Sequence, residues 1–63
     1  MSERQFKLYD KVIIHDSFVA EHNGCVGEIF DFTYVNGKYY YHVKIEDGRN
    51  SLGTPEHMLK LAN

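Results

Sequence analysis

Sixty-three residues can close one hydrophobic core but leave no material for a second lobe, so one domain is expected over residues 1–63, packed over about residues 8–61. Seven Lys and Arg against nine Asp and Glu, a formal charge of −2, do not make the field that gathers polyanions, and the basic residues stand singly near acids. With one cysteine, no basic and apolar leader in Met1-Ser2-Glu3-Arg4-Gln5 and no run near the roughly 20 apolar residues of a membrane span, a soluble cytoplasmic protein without disulfides is expected.

The hydrophobic period is two nearly throughout. Residues 11–15 (KVIIH) predict a short strand entered through Leu8-Tyr9-Asp10. Residues 16–24 (DSFVAEHNG) are polar and irregular, and their one apolar cluster, Phe18-Val19, is expected to fold back over the core. Residues 25–34 predict a second strand, closed by Val35-Asn36-Gly37-Lys38. Asn-Gly at such a tip suits a two-residue type I′ turn, in which both residues take positive φ. In residues 39–46, Tyr39, Tyr41, Val43 and Ile45 share one face, and Tyr40, His42, Lys44 and Glu46 the other. Asp47-Gly48 turns the chain again into a short strand over residues 49–52. Gly53-Thr54-Pro55 is expected to break that strand, with Thr54 as a cap and Pro55 opening one 3₁₀ turn. Residues 58–61 predict a last strand with Leu59 and Leu61 on one side. The expected core is Val12, Ile14, Ile29, Tyr41, Val43, Ile45, Leu59 and Leu61.

Five short strands, a long loop after the first, two tight hairpins and a 3₁₀ turn before the last predict an all-β fold, a small five-stranded SH3-like barrel. The stretch Gly24-Cys25-Val26-Gly27-Glu28-Ile29-Phe30-Asp31-Phe32 resembles the glycine-centred strand of KOW-type and related SH3-like domains, with Gly27 as the glycine and Ile29 and Phe32 as the buried positions after it. The three-residue step from Ile29 to Phe32 breaks alternation and predicts a β-bulge near Phe30-Asp31. In size and strand plan the chain is also similar to the type II dihydrofolate reductases, which build one active pore from four SH3-like chains. Their Val-Gln-Ile-Tyr run before the final turn is replaced here by Arg49-Asn50-Ser51-Leu52-Gly53, so that activity is not carried over.

The chemistry-bearing residues are sparse. His22-x-x-Cys25 has the spacing of half a zinc site, but His42 and His57 form no close second pair, and structural zinc takes four ligands, so no metal and no cofactor are expected. Cys25 opens a strand beside Gly24 without a basic cluster to activate it. Ser17 and Ser51 stand in no nucleophile elbow, and Glu46-Asp47 belongs to a turn, so no enzymatic activity is expected. Nine aromatic residues, however, exceed the four or five that so small a core can hold. Tyr9, Phe30, Tyr34 and Tyr40 are expected at the surface, with His42 beside Tyr40, as a face for another protein. Asp16 and Glu21 in the first long loop would suit a polyproline groove, but the chain has neither tryptophan nor an ALYDY-type motif. The expected function is a non-enzymatic SH3-like protein-binding module, of a size that suits a small bacterial or phage adaptor or inhibitor. The alternative that the KOW resemblance implies is a nucleic-acid or ribosome-associated module using Lys11, Lys38, Lys44 and Arg49. Gathering of those four on one face free of acids would favour it. Oligomeric state stays open at this level.

Overall fold

The alternating pattern becomes five antiparallel strands in the computed structural model, which describes residues 4–62. They are β1 (Lys11–Ile14), β2 (Val26–Val35), β3 (Lys38–Ile45), β4 (Asn50–Pro55) and β5 (Leu59–Leu61), with 3₁₀ turns at Ala20–His22 and Glu56–Met58. All five belong to one sheet in the order β4-β3-β2-β1-β5. The expected barrel closure is not made. β4 and β5 are the two ends of the sheet and do not pair. The chain crosses between them through the single turn Glu56–Met58, so the sheet must curl until its ends stand close. β4 ends at Pro55, which has no N–H to give, and the three residues of β5 spend their ladder on β1.

Two features of β2 produce the curl. At Gly27, a Cβ would lie 2.6 Å from Val43 Cγ1 and 2.7 Å from the Lys44 carbonyl oxygen, so only a residue without one lets β3 cross so tightly. At Phe30 the register slips: Ile29 faces Val43 but Asp31 faces His42, which is the expected bulge. A second slip lies between β3 and β4, where Tyr41 faces Thr54 and Val43 faces Ser51. It absorbs Gly53, which sits at φ 64, so β4 bends and continues where a break was expected.

The turn between β2 and β3 is as its sequence predicts. Asn36 and Gly37 take φ 49 and 79, and Val35 faces Lys38 across them. A Cβ at Gly37 would have room, its nearest neighbour being the Tyr34 hydroxyl at 4.0 Å. Conformation, not space, therefore selects the residue here. Gly37→Val should destabilise by about 2 kcal/mol, because a β-branched residue in the left-handed region is strained, while Gly37→Asn should stay near wild type. Urea denaturation of the two variants checks this; equal midpoints would contradict the turn assignment.

The core lies on the concave face. Val12, Ile14, Ile29, Tyr41 and Val43 have no exposed surface, and Ile45 and Leu59 are nearly as buried. Leu61 does not join them. It shares the face but stands at the free margin of the last strand, 51 % exposed. Its expected place is taken by Phe6, from an N-terminal arm laid over the core, and Met58 of the 3₁₀ turn is buried too. Phe6 meets Tyr41 edge to face, with ring centres 5.4 Å apart. The Arg4 guanidinium lies 4.0 Å above the Phe32 ring.

Candidate functional site

Where β4 leaves β3 at Pro55, the β3 edge from Gly37 to Tyr40 faces Pro55, Glu56 and His57 across a concavity of about 360 Å³. Gln5 of the arm also lines it. On the other side of Pro55 lies a notch of about 230 Å³ whose apolar walls are Phe18, Val19, Leu52 and Met58. Both concavities include Pro55 and flank it along β4 and the 3₁₀ turn after it.

The loop between β1 and β2 holds Phe18 at that notch. Asn23 Oδ1 accepts the Ser17 N–H at 2.7 Å, Ser17 Oγ accepts the Val19 N–H at 3.1 Å, and the Gly24 N–H reaches the Ile14 carbonyl at 2.7 Å. These bonds fix the loop outward. The expectation that Phe18-Val19 folds back over the core is therefore corrected: Phe18 is 95 % exposed and Val19 46 %. Thr54, expected to cap the 3₁₀ turn, is buried instead, and its hydroxyl bonds Ser51 Oγ at 2.7 Å. Pairing two hydroxyls beneath the groove satisfies polar groups that water cannot reach.

Glu56 ties the groove to the core. One carboxylate oxygen accepts the Tyr41 hydroxyl at 2.5 Å and the Gln5 N–H at 3.0 Å. Burial, and then that hydrogen bond to a carboxylate, hold the Tyr41 phenol well above its ordinary range. The phenolic oxygen in turn accepts the Phe6 N–H at 3.4 Å.

The aromatic residues singled out from the sequence divide among separate places. Tyr40 is half-buried and lines the larger concavity opposite Pro55. His42 lies two residues along the same face, its ring 6.0 Å from that of Phe30 at the bulge. His42 Nδ1 accepts the Gly53 N–H at 3.1 Å, which puts the proton of a neutral ring on Nε2. Tyr34 belongs to the other face, packed on Tyr39 with ring centres 4.6 Å apart. Tyr9 is 71 % exposed at the start of β1, in the left-handed region at φ 73. The structure thus joins Tyr40, His42 and Phe30 on one face and leaves Tyr34 and Tyr9 outside it. Phe18, Leu52 and Met58 were not among the candidates. Phe18 and Leu52 signalled themselves only by apolar character inside largely polar stretches, and Met58 was read as the start of the last strand.

The four cations of the nucleic-acid alternative do not converge. Lys11 and Lys44 flank Glu28 in a single cross-strand row. Arg49 is held by Asp47, Nε to Oδ2 at 2.7 Å, and its Nη2 donates to the Glu21 carbonyl at 3.3 Å. The Arg49 backbone N–H and then its side chain hold the Asp47 carboxyl below the usual range, and the same pairing raises Arg49. Lys38 stands apart, beside the hairpin tip.

The half-site His22/Cys25 acquires no further ligands; among the described residues no three His, Cys, Asp or Glu side chains come together as a metal cluster. The Cys25 thiol donates to the Glu21 carbonyl at 3.3 Å and receives Arg49 Nη2 at 3.6 Å, with no histidine bonded to it. Among the described residues no helix is long and apolar enough to cross a membrane. Comparison of the chain with protein-family models, curated proteins and solved structures finds no match.

Proposed function

We propose that the chain is a non-enzymatic, SH3-like protein-binding module that captures an extended segment of another protein in the groove centred on Pro55. One observation carries the reading. Phe18, Val19 and Leu52 are 95, 46 and 66 % exposed and line the same notch, a concentration of apolar surface that folding leaves uncovered. The larger concavity beside it is bounded by a strand edge and Tyr40, so main-chain hydrogen bonds and an aromatic anchor are offered side by side. Charge supports a protein over a nucleic acid, since Glu28 and Asp47 stand between or against the cations that phosphates would need. The Phe30–His42 pair, farther along the outward face, extends the contact surface beyond the groove.

Affinity capture from the native host, with partners identified by mass spectrometry, tests the proposal. Tyr40→Ala and Leu52→Ser should each weaken capture about tenfold or more, as loss of an interface anchor does. Their circular dichroism spectra should match the wild type. Capture that survives both substitutions would remove the groove from the mechanism. A duplex or single strand bound below about 1 µM at physiological ionic strength, and released steeply by salt, would instead establish the nucleic-acid alternative.

A further inference from the structure

Among the described residues the open sheet has strand edges that no other strand covers, and they differ in kind. β4 is bent at Gly53 and stops at Pro55, and β5 has three residues with Lys60 in the middle. Such features blunt an edge against pairing. The far half of β2 is different. β1 pairs with β2 only at Val26, Gly27 and Glu28, and the Tyr9 and Asp10 backbone reaches no further than Ile29. Beyond the bulge, residues 31–35 pair with β3 on one side and, among the described residues, with no strand on the other.

The hairpin fixes which groups this edge presents. Residues flanking a two-residue turn exchange both backbone hydrogen bonds, so Val35 and Lys38 are a bonded pair. Alternation makes Thr33 and Tyr40 the next bonded pair, and leaves Tyr34 opposite Tyr39 and Phe32 opposite Tyr41 as the pairs without mutual bonds. The N–H and C=O groups of Phe32 and Tyr34 therefore point away from β3, toward the open side. One contact agrees with this: the Phe32 N–H finds its own neighbour, Asp31 Oδ1, at 2.8 Å.

We propose that this edge pairs with the same edge of a second copy, antiparallel about a two-fold axis through Thr33, joining two sheets into one. The segment is self-complementary in that register. Phe32 faces the second copy's Tyr34, and Tyr34 its Phe32, so the two outward-pointing sets of N–H and C=O groups meet as bonded pairs. On one face the pairs are aromatic on aromatic, a favourable cross-strand combination. On the other, Thr33 meets Thr33, and Asp31 faces Val35 with Lys38 of the second copy one strand further, about 10 Å away at the usual strand spacing. Among the directly paired residues 31–35 no like charges are opposed. Asp31 now screens one of the two edge donors by bonding the Phe32 N–H, and the second copy's carbonyl replaces it there. The seam is short, so the dimer forms in the weak range of interfaces below about 1,200 Å². The inference is independent of the groove at Pro55.

Sedimentation equilibrium of the purified chain from about 10 µM to 1 mM is the first measurement. The average mass should rise toward twice that of one chain, and a single-chain mass at the top concentration would overturn the proposal. Tyr34→Pro removes an outward N–H and no internal bond, so it should remain monomeric with its strand spectrum intact; dimerisation equal to wild type would also overturn it. Should that variant lose its fold, Thr33→Glu decides in its place, because two carboxylates then meet on the axis and monomer is expected. Register is read by crosslinking in a Cys25→Ser background. Non-bonded antiparallel partners have Cα atoms about 4.5 Å apart, within disulfide reach, so Thr33→Cys should crosslink at least about tenfold faster than Val35→Cys. Equal rates, or faster linkage at position 35, would refute the two-fold at Thr33.

Discussion

Gly27→Ala should destabilise the domain by about 3 kcal/mol, at the upper end of what overpacking a core costs. The added methyl has nowhere to go. It would stand 2.6 Å from Val43 Cγ1 and 2.7 Å from the Lys44 carbonyl oxygen, and only the first neighbour is a side chain that can turn away. The carbonyl belongs to β3, so relief requires β2 and β3 to separate and the curl of the sheet to relax. For 63 residues at the usual stability per residue, the whole folding free energy is on the order of 3–9 kcal/mol, so this one methyl consumes a third or more of it. Urea denaturation gives the measurement. Gly27→Ala combined with Val43→Ala should cost less than the sum of the two single changes, because the second removes one of the two clashes. A strictly additive pair, or a Gly27→Ala midpoint equal to wild type, would show that close approach is not why glycine stands there.

That strand also illustrates what could and could not be read from the chain alone. The three-residue step from Ile29 to Phe32 indicated a bulge, and it occurs; the close approach of β3 to Gly27 was not read from the chain. Asn36-Gly37 indicated its own turn, since few residue pairs tolerate positive φ in succession. Period two placed Tyr39, Tyr41, Val43 and Ile45 on the core side, because a strand allows its side chains no other choice. Local chemistry determines features of this sort. Closure of the sheet is not local: it depends on whether β4 and β5 find hydrogen bonds for each other, and β4 ends on Pro55, which has no N–H to donate.

The residues misplaced lie outside the periodic segments or at the end of one. Phe6 precedes the first strand by several residues, and nothing in Arg4-Gln5-Phe6-Lys7 alternates. Its burial is decided by residues distant in sequence, above all Tyr41, whose ring it meets edge to face in the core. Leu61 erred the other way. It has the right period, but the sheet ends beside it. The groove was legible in part: Tyr40 followed from its outward face, whereas Phe18 and Leu52 meet only because the first loop is tied down by Ser17 and Asn23. Hydrophobicity marks such residues without saying whether they pack or wait for a partner.

Tyr41→Ala should abolish folding under ordinary conditions, because it removes a fully buried ring and costs about 4 kcal/mol before its polar partners are counted. Tyr41→Phe isolates the hydroxyl. It keeps the ring against Phe6 but strips Glu56 of one hydrogen bond and the Phe6 N–H of its acceptor, for an expected loss of about 1–3 kcal/mol. The arm should loosen in the same variant, seen as faster amide exchange at Phe6. The pH dependence follows from the raised phenol. A folded-state value above the unfolded one means that the unfolded chain releases this proton first as pH rises. The contribution of Tyr41 is therefore complete below about pH 10, the ordinary tyrosine value, and is lost progressively above it. Denaturation midpoints at about pH 8 and pH 11 should differ more for the wild type than for Tyr41→Phe, which has no proton to lose at this site. Every group other than the Tyr41 hydroxyl is common to the two proteins, so the comparison isolates this one proton. Equal alkaline losses in the two proteins would detach the phenol from the stability of the fold, and with it the idea that Glu56 latches the N-terminal arm through Tyr41.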